Sequence, residues 1–581
     1  MTANPFGIET DSRTGFTIVG RGALGGKAQG LGLACDLLKK GNGLSGRYPQ
    51  VEIRVPDTLI IAGDAFEIFV RENGLDDLAR AEVADAEVAA RFLDGRLPGQ
   101  MEEALRRHLE TTRYPLAVRS SGLLEDLHNH AYAGLYRTYM LSNDQSDLDQ
   151  RFERLVEAVK LVYASTFYQG PRAYARRVGD RLESGVMAVM IQQVAGVRHD
   201  DFHYPAIAGV AQSLNHYPLG RMKAEDGLAT IALGLGKQVV SGERALRFCP
   251  KYPKRMLQRN TVEEVLAYAQ RRFYALQMGT RISLRGDGHD HLVRRRVSEA
   301  LEEPPVRMLS GTYVLAEHRI RDNIQAAGQR VLTFAGVLKY DLFPLAAIVR
   351  DLLELGRQAL GEVEIEFAVD PAFDKTETHR FYLLQMRSMA ARQAGIPVEV
   401  NPGEAERAMC FSRNTMGNGL RQDVRDIVYV KPGAFDPGHT RHIARRVAEI
   451  NAELDNRQRQ YLLVGPGRWG SADPWLGIPV RWADISNVAA IVETTVEDLK
   501  AEPSQGAHFF HNISSLGISY FSVAQKEPDF FDWTWLTEQT VAMENEYIAH
   551  VRLDRPMTIK VDVRSSRGVI LIEDQSTGAD K

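Results

Sequence analysis

The sequence predicts an α/β or α+β fold, because short apolar runs alternate with stretches of helical periodicity along the chain. Two segments illustrate the alternation. Apolar residues recur every three or four positions through 152–163, which predicts an amphipathic helix. The run VMAVMIQQV at 186–194 is short and largely apolar, which predicts a buried strand.

The remaining elements are predicted in chain order. TLIIAG after Val55-Pro56 indicates a strand, and DAFEIFVRENGL behind it indicates a helix. VEIEFAVD at 363–370 and FYLLQMR at 381–387 alternate apolar and polar residues, which indicates the two strands of a hairpin. The last third contains the strand patterns YLLVG, AAIVE and ISYFSV, and a closing hairpin, MTIKVDVRSSRGVILIE, that turns at Ser565–Gly568.

A stretch rich in proline and glycine, AGIPVEVNPGE at 394–404, indicates a connection between domains. We therefore expect a first domain over 15–395 and a smaller α+β domain over 400–581. The length of 581 residues agrees with this, since it suggests roughly two to four domains.

The composition excludes several classes of protein. Lysine and arginine (71) nearly balance aspartate and glutamate (75), a net charge of −4, which argues against a broadly basic surface for nucleic acid. The three cysteines lie far apart and predict no disulfide framework, as expected in a reducing compartment. Because no apolar signal core and no run of about 18 apolar residues occur, we expect a cytoplasmic protein without a membrane span.

The stretch RGALGGKAQGLG at 21–32 contains a Gly-Gly-Lys typical of phosphate-binding loops. The P-loop pattern G-x-x-x-x-G-K-[ST] requires glycine where the chain has Arg21 and a hydroxyl residue where it has Ala28, so we reject a P-loop. By itself the stretch fits either another phosphate loop around Lys27 or a plain turn before a helix.

The hairpin pattern at 363–387 is the second candidate. Strict alternation places Gln385 and Arg387 on the face of Phe381, pairs Glu366 with Gln385, and leaves Arg387 near the rim. Glutamate and glutamine oxygens suit magnesium shared with substrate phosphates, and arginine binds phosphate in a bidentate way. The alternative is a solvated outer face with weak surface ion pairs.

The third candidate is PLAVRSSGLLEDLHNHAYAGLYRTYML at 115–141, where a strand pattern is expected to deliver Arg119, Ser120 and Ser121 at its end. Gly122 permits a tight turn with exposed backbone N–H groups. An arginine, two hydroxyls and free amides form a suitable cradle for an oxyanion, whereas RSSG alone also fits a helix cap.

The fourth candidate is IALGLGKQVVSGE at 231–243. Its glycines Gly234, Gly236 and Gly242 permit close approach of the backbone to a ligand. A lone GxG is a weak signal, and the stretch is not the GxGxxG of a dinucleotide-binding fold.

These motifs occur in one order: GGKAQGLG, VPDTLIIAGDAF, AVRSSGLLED with AYAG, VYASTF with AYARR, MIQQV, GLGKQVVSG, and IEF with YLLQMR. In that order they resemble the ATP-binding domain of the phosphoenolpyruvate synthase and pyruvate, phosphate dikinase family, which rifampin phosphotransferase and the starch dikinases share. The resemblance covers about 15–395 and implies an ATP-grasp-like fold that holds ATP between two lobes. It implies ATP-dependent phosphoryl transfer with Mg²⁺, in which cations neutralise the developing charge.

The resemblance also implies roles for individual residues. Lys27 and Arg119 match residues on the ATP phosphates, Arg387 matches the arginine that closes the last motif, and we expect all three to be catalytic. The hinge that meets adenine corresponds to 192–195. The expected ATP-binding residues are Lys27, Arg119, Ser120, Gln192, Gln193, Val194, Gly236, Glu366, Gln385 and Arg387, and the expected metal residues are Glu364, Glu366 and Gln385.

The chain departs from the family pattern at two positions. Lys237 replaces the glutamate of the usual GLGE, which puts the usual ribose contact in doubt, and Leu135 replaces the glutamine of the common AGQ. Neither position belongs to the expected phosphate or metal residues, so we still expect ATP binding.

Two parts of the family's dikinases have no counterpart in the sequence. The phosphohistidine pattern GGxxSHxAIxAR has no match, and the nearest string, GHTRHIARR at 438–446 with His442, fits a surface helix better. The last 180 or so residues are too few for a phosphoenolpyruvate-binding barrel of about 250.

The last third contains two candidate acceptor or substrate elements. VGPGRWGSADPWLGIPVRW at 464–482 predicts a rigid loop that presents Arg468, Ser471 and Asp473 to a small molecule.

The other element is SQGAHFFHNISS at 504–515. His508 is a candidate phosphoryl acceptor and thus a fourth catalytic residue, with Gln505, His511 and Asn512 nearby in sequence. The alternative is a structural role for both histidines beside their aromatic neighbours.

We therefore expect an ATP-dependent phosphotransferase of the dikinase type, with ATP and Mg²⁺ as cofactors and no nucleic-acid or membrane partner. The phosphoryl acceptor is a histidine, a small molecule or a partner protein. Two alternatives stay open: an ATP-binding regulatory or scaffold protein without turnover, and an ATP-grasp ligase that forms an acyl-phosphate.

Overall fold

The structure of the chain is a computed structural model. It describes all residues except 1–7, 41–43, 80, 82, 124, 126–133, 179–185, 217, 219–220, 256–260, 280–283, 285–291, 375–377, 390–397, 418, 496–506, 563–564 and 573–581. The chain divides into two compact units, and the first comprises Met1–Val240 and Arg244–Met389. The second comprises Ser241–Glu243 and Ala390–Lys581.

Helices and strands are mixed throughout the first unit, as the sequence predicts. Its strands are β1 (Ile8–Thr10), β2 (Thr17–Val19), β3 (Val51–Arg54), β4 (Thr58–Ile61), β5 (Leu116–Gly122), β6 (Thr138–Leu141), β7 (Met187–Gln193), β8 (Val197–His199), β9 (Phe202–Tyr204), β10 (Ile207–Gln212), β11 (Leu228–Ala232), β12 (Leu246–Phe248), β13 (Arg272–Gln277), β14 (Leu292–Arg296), β15 (Ser310–Val314), β16 (Arg319–Arg321), β17 (Gln329–Leu332), β18 (Val363–Asp370) and β19 (His379–Ser388). Its helices are α1 (Gly25–Lys40), α2 (Leu44–Arg47), α3 (Gly63–Glu72), α4 (Asp85–Asp94), α5 (Gly99–Thr111), α6 (Leu148–Ala164), α7 (Gln169–Val178), α8 (Lys237–Val240), α9 (Val262–Tyr268), α10 (Pro304–Leu309), α11 (Ala335–Leu338) and α12 (Leu345–Leu360).

Two six-stranded sheets organise the first unit. One has the strand order β1-β2-β4-β7-β5-β6, and the other has the order β12-β11-β10-β18-β19-β3. The predicted helix at 152–163 is confirmed within α6, and the predicted strand at 186–194 is confirmed as β7. The side chain of Asp147 caps α6 by accepting a hydrogen bond from the backbone N–H of Asp149, which satisfies one free donor of the first turn.

The predicted hairpin of β18 and β19 is present, but its alternation is interrupted. Glu366 pairs with Gln385 whereas Phe367 pairs with Leu383, so Leu384 is an extra residue that forms a β-bulge. The strict alternation expected from the sequence is therefore wrong. Because side chains alternate with period two, one inserted residue moves everything after it to the opposite face.

The bulge places polar and apolar side chains on opposite faces of the hairpin. Met386 now lies opposite Ile365 and belongs to the buried core of the unit, together with Leu383. Gln385 lies opposite Glu366 on the other face of the hairpin. The polar residues of both strands are thereby collected on one face.

The second unit is also mixed α/β. Its strands are β20 (Cys410–Ser412), β21 (Thr415–Met416), β22 (Gly419–Val430), β23 (Tyr461–Pro466), β24 (Arg468–Trp469), β25 (Gly477–Ile478), β26 (Val488–Thr494), β27 (Ser519–Val523), β28 (Phe530–Phe531), β29 (Val541–Glu544), β30 (Ile548–Asp562) and β31 (Arg567–Leu571). Its helices are α13 (Pro402–Ala405), α14 (Thr440–Asn456), α15 (His508–Ser515) and α16 (Trp533–Thr537).

A ten-stranded sheet forms the centre of the second unit. β22, β23, β26 and β27 are parallel neighbours, and β30 pairs with β22 in the antiparallel direction. The predicted strands of the last third correspond to β23, β26 and β27, and the predicted closing hairpin corresponds to β30 and β31. None of the helices in the described ranges combines the length and apolar character that a membrane crossing requires.

Candidate functional site

The guanidinium of Arg119 is the centre of a polar cluster in the first unit. Its Nη2 donates to Gln385 Oε1 at 2.9 Å and to Glu366 Oε2 at 3.3 Å. Its Nη1 donates to Gln192 Oε1 at 3.2 Å and to the Leu384 carbonyl oxygen, on the bulge, at 3.3 Å. Arg119 lies on β5 and the residues around it lie on β7, β18 and β19, so one side chain links the two six-stranded sheets.

The structure corrects the expected position of this arginine. Strand β5 continues through Gly122, so Arg119, Ser120 and Ser121 lie within the strand rather than at its end. The Gly122 N–H is also not free, since it donates to Glu125 Oε2 at 2.8 Å. The cluster therefore presents a cation and side-chain oxygens rather than a cradle of free amides.

Lys27 lies beside this cluster, in the first turn of α1. The helix begins at Gly25, two residues before the lysine, and not after it as the sequence suggested. The Lys27 ammonium donates to Glu125 Oε1 at 2.8 Å and to Ser120 Oγ at 3.1 Å. The lysine side chain is 13% exposed and the glutamate side chain is 2% exposed, which makes this a largely buried ion pair.

Glu125 is a residue that the sequence reasoning missed. Its carboxylate accepts hydrogen bonds from the Lys27 ammonium, the Ser120 hydroxyl and the Gly122 backbone N–H. The sequence contained a signal for this role, because an acidic residue shortly after a glycine is a common local acceptor for that glycine's backbone N–H. In the AYAG motif that follows at 131–134, residues 131–133 lie outside the described part of the chain.

Ser121 ties α1 to β5. Its hydroxyl accepts the Ala28 N–H at 3.0 Å and donates to the Leu24 carbonyl at 2.8 Å. Gly25 has a φ of +76°, and a Cβ there would lie 1.7 Å from the Ser121 carbonyl oxygen. Only glycine fits this position, so Gly25 is required for the backbone contact between α1 and β5.

Glu364 and Arg387 form a second, deeper pair on the same hairpin face. Arg387 donates to Glu364 Oε1 through Nε at 3.0 Å and through Nη2, and Gln212 Nε2 donates to Glu364 Oε2 at 2.6 Å. Both side chains of the pair are at most 5% exposed, so Arg387 is buried and does not lie near the rim. Glu364 serves as the counter-charge that allows Arg387 to be buried.

The expected adenine hinge begins with Gln192. Its side chain is turned toward the polar cluster, where it accepts from Arg119 and donates to Thr58 Oγ1 at 3.3 Å. The Gln192 side chain therefore holds Arg119 in position and is not directed toward an adenine site.

The next two hinge residues are held by their backbones. The Gln193 N–H donates to the Asp57 carbonyl at 2.9 Å, the Val194 N–H donates to the Pro115 carbonyl at 2.9 Å, and His203 Nε2 lies 3.2 Å from the Val194 carbonyl oxygen. Gln193 Oε1 is buried and lacks a hydrogen-bond partner within the described ranges. A buried acceptor without a donor fits a ligand that supplies one, such as the amino group of adenine.

The glycines of the fourth motif have unequal roles. Gly234 has a φ of +87°, and a Cβ there would lie 2.6 Å from the Tyr274 carbonyl oxygen. At Gly236 the nearest atom to an added Cβ would be Ala208 Cβ at 3.8 Å, which is ordinary contact. Lys237, which begins α8, places its ammonium 5.0 Å from the centre of the Tyr274 ring.

The expected metal residues fit a magnesium ion only in part. Both Glu364 oxygens already accept hydrogen bonds from Arg387 and Gln212. Glu366 and Gln385 pair their side-chain oxygens on one face, where both also accept from Arg119, so an ion there would take its other ligands from phosphates and water. Across the described ranges, no three His, Cys, Asp or Glu side chains form a metal site of their own.

In the second unit, the GPGRWGS loop is packed rather than open. Trp469 is fully buried, and its backbone N–H donates to Glu493 Oε1 at 2.8 Å. The Tyr520 hydroxyl donates a hydrogen bond to Glu493 Oε2. Burial raises the pKa of Glu493 to about 7, although these hydrogen bonds and the charge of Arg468 oppose the rise.

The other candidates of the second unit lie on helices. His508 is half-buried at the start of α15, where His511 and Asn512 are buried, while Gln505 lies outside the described residues. His442 lies on α14 and is exposed, as predicted for a surface helix.

Comparison with known proteins places the first unit in a family. A family model described as "Pyruvate phosphate dikinase, AMP/ATP-binding domain" matches residues 21–407. The phosphoenolpyruvate synthase of Deinococcus radiodurans is 29% identical over 213 residues, which is 33% of this chain and 25% of that protein. The phosphoenolpyruvate synthase of Escherichia coli is 26% identical over 213 residues, which is 33% of this chain and 24% of that protein.

A third relative is the protein named uncharacterized phosphotransferase YvkC from Bacillus subtilis, which is 28% identical over 188 residues. The alignment covers 32% of this chain and 20% of that protein. The chain thus aligns with a quarter or less of the length of these three curated relatives.

Replacing Glu125 with glutamine should destabilise the first unit. Glutamine offers one acceptor oxygen where the carboxylate offers two, so the Gly122 N–H or the Lys27 ammonium loses its partner. We expect a loss of about 1–3 kcal/mol in the free energy of unfolding, measured by urea denaturation. Glu110→Gln, on an exposed face of α5, is the control. Equal stability of the two variants would show that Glu125 does not hold Lys27.

Replacing Glu493 with glutamine should change how stability depends on pH. Because the folded pKa of about 7 exceeds the ordinary value of 4.5, the unfolded chain loses this proton first as pH rises, and stability falls across that window. Glutamine does not titrate, so the variant lacks this pH-dependent contribution to stability. Its amide can still form hydrogen bonds with Trp469 and Tyr520.

We therefore expect the melting temperature of Glu493→Gln relative to wild type to be higher at about pH 8 than at about pH 5. The control is Glu538→Gln, an exposed position after α16. A difference that is constant between the two pH values would contradict the raised pKa of Glu493.

Proposed function

Because the chain belongs to the pyruvate phosphate dikinase AMP/ATP-binding domain family, we propose that it is an ATP-dependent phosphotransferase of the dikinase type. In this proposal the first unit binds Mg-ATP and transfers a phosphoryl group to an acceptor held by the second unit or by a partner. ATP-grasp-like binding between two lobes is part of the same proposal.

One observation supports this function above the others. An arginine lies within hydrogen-bond distance of a carboxylate and a glutamine from separate strands, and a lysine donates to the hydroxyl of the residue that follows the arginine on β5. The members of this set are Lys27, Arg119, Glu366 and Gln385. Cations beside paired oxygens can bind phosphates together with a divalent metal, and phosphoryl transfer requires little more than such positioning and charge.

The residues of this cluster receive separate roles in the proposal. Lys27 and Arg119 donate to phosphate oxygens and stabilise the negative charge that develops during transfer. Glu366 and Gln385 hold a magnesium ion, which supplies charge neutralisation on the phosphates when bound. Arg387 is the third catalytic cation of the proposal, and Glu364 positions it deeper on the same hairpin face.

The nucleotide contacts extend beyond the phosphates. Gln193 accepts a hydrogen bond from the base through its buried Oε1, Val194 continues the hinge, and Ser120 orients Lys27. Gly236 lies in the turn before α8, where the backbone is accessible to a ribose or phosphate. The proposed compartment is the cytoplasm.

The nucleotide product identifies the reaction. With Mg-ATP and the purified chain, AMP and phosphate are the expected products of dikinase chemistry. ADP would instead indicate a simple kinase or a ligase. ATP binding without turnover would indicate a regulatory protein, and it would contradict the proposed activity. Nucleotides separated by ion-exchange chromatography distinguish these outcomes.

Arg119→Ala should lower the turnover of ATP about 100-fold or more, because it removes a preorganised donor and unlinks Glu366 from Gln385. Arg71→Ala, at the exposed end of α3, is the control and should turn over ATP at the wild-type rate. Near-normal turnover in Arg119→Ala would contradict the role of the cluster.

His508 is the proposed acceptor within the chain. After incubation with ATP labelled in the transferred phosphoryl group, we expect an acid-labile label on the protein that is lost in His508→Ala. The exposed His442→Ala is the matched control and should keep the label. A label that survives in His508→Ala would exclude this histidine as the acceptor.

A further inference from the structure

The second unit contains a cavity of about 390 Å³ that no step of the proposed reaction uses. Its walls come from the segment around α13, from β20 and the residue after it, and from the starts of β28 and β31. The volume falls within the range of roughly 300–1,000 Å³ that small-molecule sites occupy.

One wall of the cavity is apolar and fixed. Val400 and Phe411 line it, and both belong to a small buried cluster with Ala408 and Val569. Phe530 lines the cavity as well and packs against the same cluster. Side chains held by a packed cluster present a stable surface to the apolar body of a ligand.

Two arginines give the cavity positively charged hydrogen-bond donors. The backbone N–H and Nε of Arg413 donate to Asp529 Oδ1 at 3.2 and 3.0 Å, which anchors the side chain. The two terminal nitrogens of Arg413 contact no acceptor in the part of the chain that the structure describes. Arg567, at the start of β31, is exposed and likewise makes no hydrogen bond or ion pair with a described residue.

Two guanidiniums, of Arg413 and Arg567, and one carboxylate, of Glu406, line the cavity. Asp529 neutralises one positive charge at Arg413, and Asp562 lies opposite Arg567 in the register of β30 and β31. Since the Arg413 guanidinium keeps unused donors and the Arg567 side chain forms no ion pair with a described residue, a carboxylate can accept charge-assisted hydrogen bonds from both.

We propose that this cavity is a binding site for a small organic acid with an apolar or aromatic body. The carboxylate of the ligand pairs with Arg413 and Arg567, and its body packs on Phe411, Phe530 and Val400. Binding here needs neither nucleotide nor metal, so the proposal stands independently of the phosphotransferase activity.

Three probes test the site with the full chain and without nucleotide. Phenylacetate has both the anionic and the apolar part, phenylacetamide lacks the charge, and acetate lacks the apolar body. We expect titration calorimetry or saturation-transfer NMR to show phenylacetate binding at least about tenfold more tightly than either other probe. Equal binding of phenylacetamide, or no binding of phenylacetate, would overturn the proposal.

Two variants locate the binding. Arg567→Gln should weaken phenylacetate binding about tenfold, and the exposed Arg441→Gln on α14 should leave it unchanged. The Arg567 side chain is exposed and pairs with no described residue, so the variant should keep the circular dichroism spectrum and melting temperature of the wild type. Unchanged affinity in Arg567→Gln would place the probe elsewhere and overturn the proposal.

Discussion

The hydrogen bonds of the Arg119 guanidinium are the constraint on which the first unit's polar cluster depends. They join β5 and β7 of one six-stranded sheet to β18 and β19 of the other. The Arg119 and Glu366 side chains are 14% and 16% exposed, so their charges interact where water screens them weakly. In the proposed function, a phosphate at this cluster meets a cation whose position is already fixed by its hydrogen bonds.

A single inserted residue decides what faces this arginine. The bulge at Leu384 turns Gln385 toward Glu366 and turns Met386 into the core, and it frees the Leu384 carbonyl to accept from Arg119. Bulges are frequent beside functional sites, where the extra residue redirects a side chain and bends the strand locally. Here the bulge supplies Arg119 with two hydrogen-bond acceptors, the Leu384 carbonyl oxygen and Gln385 Oε1.

Buried carboxylates in the second unit show how neighbours determine charge. Burial alone raises the pKa of Asp426, but hydrogen bonds from His550 and Arg459 outweigh it and hold the pKa below its ordinary range. Glu493 is also buried, yet its donors are a hydroxyl and a backbone N–H, and its pKa rises to about 7. Hydrogen bonds from Arg459 and His550 thus lower the pKa of one carboxylate, and a hydroxyl and a backbone N–H do not offset the burial of the other.

The sequence by itself determined the mixed α/β class, the positions of several strands and helices, the family, and the pairing of Glu366 with Gln385. Periodicity and motif order suffice for these, because they depend on neighbours along the chain. The tertiary structure decided that Glu125 holds Lys27, that Glu364 neutralises Arg387, and that Gln192 turns toward Arg119. These contacts join residues that are 23 to 98 positions apart, and a local pattern contains no information about which distant partner satisfies a buried charge.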